Sequence, residues 1–115
     1  MEIIKSLSDS AIISSFDILE MKTFHDGFYV KVKATLKDNS ELFIREYLDD
    51  KNREYSYHWQ SENKEKYIRW DNSPHHNSLE TFPHHKHIDN LVLPSNEISV
   101  EDILLHLSNV IKLNG

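Results

Sequence analysis

Apolar and polar residues alternate along the middle of the chain, as they do in strands that bury one face. The clearest example is "FYVKVKATL" at 28–36, in which every second side chain is apolar. The same alternation continues through "ELFIREYL", "YSYHWQ" and "KYIRWD", and a further strand is expected from about Ser15. The pattern predicts five antiparallel strands in meander order, because only short polar segments separate them.

Turn-forming residues between these segments predict how the strands pair. Asp26-Gly27 is the strongest hairpin signal, since type I′ turns need two residues that tolerate positive φ. Tight turns are also expected at Lys51-Asn52 and Asn63-Lys64. The three turns predict these cross-strand pairs: Met21 with Val32, Lys22 with Lys31, Arg45 with His58, Ile44 with Trp59, Trp59 with Ile68, Tyr57 with Trp70, and His58 with Arg69.

These pairings give the sheet two chemically different faces. One face is apolar and must be covered, and the C-terminal segment has apolar residues at helical spacing from Val100 to Ile111. Ser99 and Asp102 resemble an N-cap and its acidic partner at the start of that helix. The expected architecture is therefore α+β: one domain over residues 1–115, with a five-stranded meander and a C-terminal helix on one face. The apolar face is predicted to carry Met21, Val30, Val32, Ile44, Leu48, Tyr57, Trp59, Ile68 and Trp70, and the polar face Lys31, Lys33, Arg45, His58, Arg69 and Asp71.

The composition limits the classes of function. The 115-residue chain carries a net charge of −6, which argues against a uniformly basic nucleic-acid-binding surface. It has no cysteine, so disulfides and thiolate metal sites are excluded and a reducing cytoplasm is the expected location. No apolar run approaches the roughly 20 residues of a membrane helix, so no membrane association is expected.

The polar face is a candidate anion-binding surface. Arg45 and Arg69 flank His58 in the predicted sheet, and guanidinium groups bind phosphate oxygens in bidentate fashion. Together with Lys31 and Lys33 they form the predicted substrate-binding set. The alternative is an ordinary solvated strand face, whose cations pair with carboxylates such as Glu20 and Glu46.

The segment "RWDNSPHHNSLETFPHHKH" at 69–87 contains five of the eight histidines. An extended "TFPHHKH" would direct His85 and His87 to one side and His84 to the other. In a metal site, His85 and His87 would join one of His75 or His76, with Asp71 or Glu80 as a further ligand. Without a metal, imidazoles supply the acid and the base that cleavage of an RNA phosphodiester requires. The third interpretation is a surface loop or partner-binding segment with no chemistry of its own.

Four stretches together resemble the TumE-type toxins of prokaryotic toxin–antitoxin pairs. They are "YSYHWQ", "IRWDNSPHH", "TFPHHKH" and "PSNEISVEDIL", and the resemblance spans roughly residues 25–111. It implies a small cytoplasmic toxin that a cognate antitoxin neutralises by binding. RNA cleavage is the commonest chemistry among small toxins of such systems, which is an analogy at the level of the system and not of the site.

The sequence thus favours a toxin that acts as a metal-independent endoribonuclease. The expected partners are the antitoxin and RNA, a homodimer is a further option, and no cofactor is favoured, although a divalent metal is retained as an alternative. Two different functions also fit these residues: a non-catalytic module that binds nucleic acid or a partner protein, and a metal-dependent hydrolase. The candidate catalytic residues are His58, Asp71, His76 and His85; the candidate substrate-binding residues are Lys31, Lys33, Arg45 and Arg69; and the metal ligands, if a metal is present, are His75, His85 and His87.

Overall fold

The computed structural model describes residues 2–74, 76 and 78–114, with side chains as far as residue 111. Helix α1 (Glu2–Asp9) precedes a sheet, and helix α2 (Val100–Asn114) follows it. The α+β class and the C-terminal helix are confirmed. The strands are β1 (Ile13–Thr23), β2 (Phe28–Leu36), β3 (Glu41–Leu48), β4 (Arg53–Gln60), β5 (Tyr67–Asp71), β6 (His85–Ile88) and β7 (Leu91–Pro94).

The sheet is a continuous antiparallel meander in the order β1 to β7. The prediction of five strands was wrong, because the segment after the histidine-rich loop adds a hairpin to the sheet edge. "HKHI" and "LVLP" pair around Asp89-Asn90, where Asp89 adopts a φ of 53°. Asp and Asn tolerate this conformation better than most residues, so the two short runs can form a tight hairpin.

The predicted turn at Asn63-Lys64 is confirmed, because Tyr57, His58 and Trp59 pair with Trp70, Arg69 and Ile68. The other two predicted registers were wrong by two residues. Met21 lies opposite Val30 and Lys22 opposite Tyr29, whereas Arg45 lies opposite Ser56 and Ile44 opposite Tyr57.

Each of these two turns is centred one residue earlier in the chain than predicted, which explains the shifts. The Phe24 amide donates to the Gly27 carbonyl at 2.8 Å, and the Asp49 Oδ1 accepts from the amides of Lys51 and Asn52 at 2.8 and 2.7 Å. A shift of two residues keeps every side chain on its own face of the sheet. The predicted division into an apolar and a polar face therefore survives both errors.

Gly27 is needed for close approach and not for positive φ. A Cβ at this position would lie 1.7 Å from the carbonyl oxygen of Leu48 on β3. Only a residue without a side chain lets the entry of β2 pass so close to the end of β3.

Both helices pack on the apolar face. Ile3 and Leu7 of α1 and Val100, Ile103 and Leu107 of α2 are buried in one cluster with the sheet. Ser99 caps α2 as predicted, since its amide donates to the Asp102 carboxylate at 2.9 Å and its Oγ accepts from the Asp102 amide at 3.4 Å. The sheet contributes Val30, Val32, Ala34, Leu36, Leu42, Ile44, Tyr55, Tyr57, Trp59 and Trp70 to this core, which agrees with the predicted position of Tyr57, Trp59 and Trp70 on the apolar face.

Within the described residues, neither helix has the length and apolar character needed to cross a bilayer. The helices cover only one side of the sheet. The opposite side carries the polar strand positions and is continuous with the loop between β5 and β6.

Candidate functional site: a cationic face and a histidine centre

Two of the four predicted substrate-binding cations on the polar face lack a carboxylate partner among the described residues. Lys33 is paired with Glu41 at 3.1 Å, but no carboxylate of the described residues lies within salt-bridge distance of Lys31 or Arg45. The expected alternative, pairing with Glu20 and Glu46, does not hold for these cations. Glu20 contacts Lys22 at 3.9 Å, and Glu46 is buried on the helix side of the sheet.

Glu46 belongs instead to a polar network under the helices. Its carboxylate accepts from Arg53 Nε at 3.2 Å and from the Tyr57 hydroxyl at 2.8 Å. Arg53 also donates to the Ile98 carbonyl at 2.9 Å and to Glu97 at 3.1 Å, just before α2 begins. This network anchors α2 to the sheet and leaves the polar face to its own cations.

Two adjoining depressions cross the polar face. The first, of about 220 Å³, is lined by Lys31, Arg45, His58 and Arg69 among others. The second, of about 370 Å³, shares Arg45, Ser56 and Arg69 with the first and extends to Asp71. A path lined by guanidinium groups therefore leads from the middle of the sheet to Asp71.

His58 lies in the first depression, between the rings of Phe43 and Tyr67 at centroid distances of 6.1 and 5.6 Å. Burial lowers the pKa of His58 below its ordinary value; the Gln60 hydrogen bond opposes this effect and Arg69 adds to it. His58 is two strands away from β6, which corresponds to roughly 10 Å across the sheet. It therefore lies apart from the other imidazoles.

The ionisable side chains of the site are grouped where β5 and β6 pair. Asp71 lies directly opposite His85, and Arg69 lies opposite His87. Residues two apart on a strand point to the same face, so the four side chains form one cross-strand block on the polar face. The predicted common direction of His85 and His87 is confirmed.

Asp71 is the hub of this block and is 4% exposed. Its Oδ1 lies 2.9 Å from His85 Nε2 and accepts hydrogen bonds from the Ser73 hydroxyl and amide at 2.8 and 3.1 Å. Its Oδ2 lies 3.2 Å from Arg69 Nε and 3.6 Å from His87 Nε2. Five polar groups of four residues, Ser73, Arg69, His85 and His87, thus surround one buried carboxylate. They fix its orientation and compensate its charge.

His85 is held at both ring nitrogens. Nδ1 lies 2.9 Å from the Pro83 carbonyl, which can only accept, and Nε2 faces Asp71. The side chain is 2% exposed, so it has almost no surface for a substrate. His85 is better suited to orienting Asp71 than to contacting a reacting group.

His76, on the loop after β5, brings a third imidazole next to those of His85 and His87. Its ring centroid lies 4.8 Å from that of His85 and 5.7 Å from that of His87, while His85 and His87 are 4.9 Å apart. One nitrogen of each ring lies within 4.8 Å of the others. We call Asp71, His76, His85 and His87 the histidine centre.

His87 and His76 are the accessible imidazoles of the centre. The side chain of His87 is 27% exposed, and His76 is half-buried. Partial burial lowers the pKa of His87 against the opposing effect of the Asp71 carboxylate, and His85, His76 and Arg69 lower it further. Of the three rings, these two have surface that a bound molecule could contact.

Side-chain hydrogen bonds fix both ends of the loop that carries His76. Asn72 accepts from the Tyr55 amide at 2.9 Å and donates to the Arg53 carbonyl at 2.6 Å, so it extends the β4–β5 ladder by one residue. At the other end, Thr81 Oγ1 donates to the His84 carbonyl at 2.7 Å and accepts from the Ser95 amide at 3.0 Å. These contacts return the chain to β6 beside β5.

The structure brings together three of the four predicted catalytic residues, Asp71, His76 and His85, and leaves His58 outside the centre. Of the predicted metal ligands, His85 and His87 converge with His76, which was the alternative to His75, and His75 lies outside the described residues. The sequence placed His87 among the metal ligands of the alternative interpretation but not among the candidate catalytic residues. The pairing of "HKHI" with "YIRWD" would have revealed its position in the site, because that register sets His87 beside Arg69.

Comparison with known families confirms the resemblance to TumE-type toxins. The family model described as Toxin TumE matches residues 3–113, nearly the whole chain. The chain belongs to the TumE toxin family. No curated protein and no solved structure matches it. As a member of this toxin family, the chain is the toxin of a toxin–antitoxin pair and has an antitoxin as its partner.

Proposed function

We propose that this TumE-family toxin acts by cleaving RNA at the histidine centre, without a metal. The observation that carries the proposal is the convergence of His76, His87 and the buried Asp71–His85 pair at the end of a cationic path. RNA cleavage needs a proton acceptor, a proton donor and positive charge around one phosphate. These three requirements are available here within a few ångströms.

His76 and His87 form the proposed acid–base pair, because they are the accessible rings of the centre. One imidazole takes the proton of the ribose 2′-hydroxyl as its oxygen attacks the adjacent phosphorus. The other gives a proton to the departing 5′-oxygen. The products are a 2′,3′-cyclic phosphate and a 5′-hydroxyl, so no water, metal or cofactor enters this step.

Arg69 and Arg45 are the proposed phosphate ligands. Arg69 is half exposed and contacts Asp71 through Nε at 3.2 Å, which leaves its terminal nitrogens for another acceptor. Arg45 is exposed beside Tyr29, with the guanidinium carbon 5.6 Å from the ring centroid. Positive charge fixed next to the reacting phosphate stabilises the additional negative charge of the pentacovalent transition state.

Asp71 and His85 are positioning residues in this proposal. Asp71 is fixed by Ser73, Arg69 and His85, and its Oδ2 lies next to the His87 ring. A carboxylate beside an imidazole selects its tautomer and stabilises it when it is protonated. The proposal therefore moves His85 from the acid–base role expected from the sequence to a supporting one, since it is 2% exposed.

The test is cleavage of a single-stranded RNA in excess EDTA by the purified toxin. We expect cleavage fragments that end in a 2′,3′-cyclic phosphate, and no cleavage at a position whose 2′-hydroxyl is replaced by 2′-O-methyl. His76→Gln and His87→Gln should each lose activity, whereas His25→Gln, an exposed residue of the β1–β2 loop, should retain it. Salt-sensitive RNA binding without cleavage would instead support a non-catalytic binding module.

A further inference from the structure

Three imidazole nitrogens meet in the histidine centre in a way that acid–base chemistry alone does not require. Two rings are enough to give and take a proton, yet His76, His85 and His87 each direct a nitrogen to within 4.8 Å of the others. Zn²⁺ binds imidazole nitrogens at about 2.0–2.1 Å, which sets neighbouring ligand atoms roughly 3–4 Å apart. Small side-chain rotations would close the remaining gap.

The backbone already fixes two of the three rings. His85 and His87 project from the same face of β6, and their centroids are 4.9 Å apart. The His85 Nδ1 is bonded to the Pro83 carbonyl at 2.9 Å, so its Nε2 is the nitrogen directed to the centre. A backbone carbonyl that holds the distal nitrogen of a ligand histidine is the usual support of such sites, because it fixes the tautomer and the ring direction.

A negative charge lies beside these nitrogens. Asp71 Oδ1 is 2.9 Å from His85 Nε2, and Oδ2 is 3.6 Å from His87 Nε2. Carboxylate oxygens bind Zn²⁺ at about 2.0–2.2 Å, so an ion on His85 Nε2 would have the Asp71 carboxylate within reach as a fourth ligand. Nitrogen and oxygen donors with no thiolate suit Zn²⁺, for which imidazole is a preferred ligand.

We propose that the histidine centre is a Zn²⁺ site, with His76, His85 and His87 as nitrogen ligands and Asp71 as the oxygen ligand. The ion replaces the direct His85–Asp71 contact with two metal–ligand bonds. It also links the loop that carries His76 to β6, and so ties the loop to the sheet.

Zn²⁺ bound in this way switches off RNA cleavage. A metal-bound imidazole nitrogen has no free lone pair to accept a proton and no proton to give, so His76 and His87 lose their acid–base role. This second part rests on the proposed function, whereas the binding of the ion does not. The toxin is thus expected to be active when Zn²⁺ is scarce and inactive when it is abundant.

The binding experiment is isothermal titration of metal-free toxin with ZnSO₄, followed by Co²⁺ substitution monitored by visible absorption. We expect one ion per chain and the absorption of tetrahedral Co²⁺. His76→Gln and His87→Gln should weaken binding about 100-fold or more, which we estimate from the sensitivity of metal sites to lost ligands and their supporting contacts. His25→Gln is the matched control and should bind as the unaltered toxin does, and circular dichroism verifies that each variant is folded.

An equal Zn²⁺ affinity in the unaltered toxin and in both His76→Gln and His87→Gln would overturn the site, as would the absence of saturable binding.

Arg69→Gln separates the two proposals, because it removes a phosphate ligand but none of the metal ligands. We expect this variant to keep stoichiometric Zn²⁺ binding while it loses cleavage in EDTA. Zn²⁺ binding by a toxin that never cleaves RNA leaves the site standing and rejects the function. Cleavage in EDTA by a toxin that binds no Zn²⁺ supports the proposed function and rejects the Zn²⁺ site. Cleavage that requires Zn²⁺ contradicts the inhibitory role of the ion.

Discussion

Asp71 on β5 lies directly opposite His85 on β6, and the Asp71 Oδ1 lies 2.9 Å from His85 Nε2. Both side chains are almost fully buried, at 4% and 2% exposure. The pair joins the last strand before the histidine-rich loop to the first strand after it. It therefore supports the β5–β6 junction and also orients the accessible rings around it.

Replacement of Asp71 by Asn should destabilise the fold strongly. The substitution keeps the shape of the side chain but removes the negative charge beside Arg69 and His85 and replaces one carboxylate oxygen with a hydrogen-bond donor. Breaking a buried pair by changing one partner costs about 3–5 kcal/mol in the free energy of unfolding. We expect a loss near the lower end of that range, because Arg69 is half exposed, measured by urea denaturation at neutral pH.

Asp17→Asn is the control for this measurement, since Asp17 is an exposed residue of β1. It should change the free energy of unfolding by no more than about 0.5 kcal/mol. Equal effects of the two substitutions would show that the Asp71–His85 contact does not stabilise the junction.

Arg45→Gln should weaken RNA binding without affecting the fold. Arg45 is exposed on the cationic path, and no described carboxylate lies within salt-bridge distance of it. Loss of one phosphate contact should reduce the salt dependence of the binding constant by about one unit of slope. Fluorescence anisotropy with a labelled single-stranded RNA at several salt concentrations measures this slope.

Lys33→Gln is the matched variant, because the Lys33 ammonium is already paired with Glu41 at 3.1 Å. We expect a smaller change in slope for this variant. If Arg45→Gln leaves both affinity and slope unchanged, the RNA does not follow the path that has been assigned to it.

Gly27→Ala should destabilise the β2–β3 pairing. The added Cβ would meet the Leu48 carbonyl at 1.7 Å, and backbone on both sides leaves little room for adjustment. Overpacking of this kind costs about 1–3 kcal/mol, to be measured as a drop in the denaturation midpoint. His25→Ala, two residues earlier in the same exposed loop, should have little effect, and a similar cost for both would remove the steric explanation.

His58 should make the stability of the fold fall in mild acid. Burial lowers the pKa of His58 in the folded state, whereas in the unfolded chain it is about 6.5. As the pH falls below about 6.5, the unfolded chain binds a proton that the folded chain does not, so the free energy of unfolding decreases. This contribution is fully present above that pH and is lost below it.

His58→Gln tests this contribution by removing the titrating group. The free energy of unfolding of the unaltered toxin should fall relative to that of the variant between about pH 8 and about pH 5.5. Parallel curves for the two proteins over this range would show that His58 titrates alike in both states.

The sequence predicted the strands whose alternation is long and regular, and it predicted the division between apolar and polar faces. That division is correct although two registers were wrong, because a shift of two residues keeps each side chain on the same face of the sheet. The turn at Asn63-Lys64 was predicted correctly, while the chain turns one residue earlier than predicted in the loops at 24–27 and 49–52. The position of the turn depends here on hydrogen bonds such as those of Asp49, which alternation does not reveal.

The β6–β7 hairpin and the role of His87 escaped prediction for a related reason. "HKHI" and "LVLP" are only four residues each, too short for a period of two to be distinguished from chance. Without that hairpin, the partner of β5 was unknown. The contact of Asp71 with His85 and the approach of His76 depend on tertiary pairing that the sequence pattern does not specify.

The most direct test of the central claim is the cleavage of a single-stranded RNA by His87→Gln in EDTA, compared with the unaltered toxin and with His25→Gln. Loss of one member of an acid–base pair should lower the rate about 10²–10⁴-fold while RNA affinity stays within a factor of a few. We expect that loss in His87→Gln and none in His25→Gln. Full activity of a folded His87→Gln toxin would contradict the proposal that the histidine centre carries out the reaction.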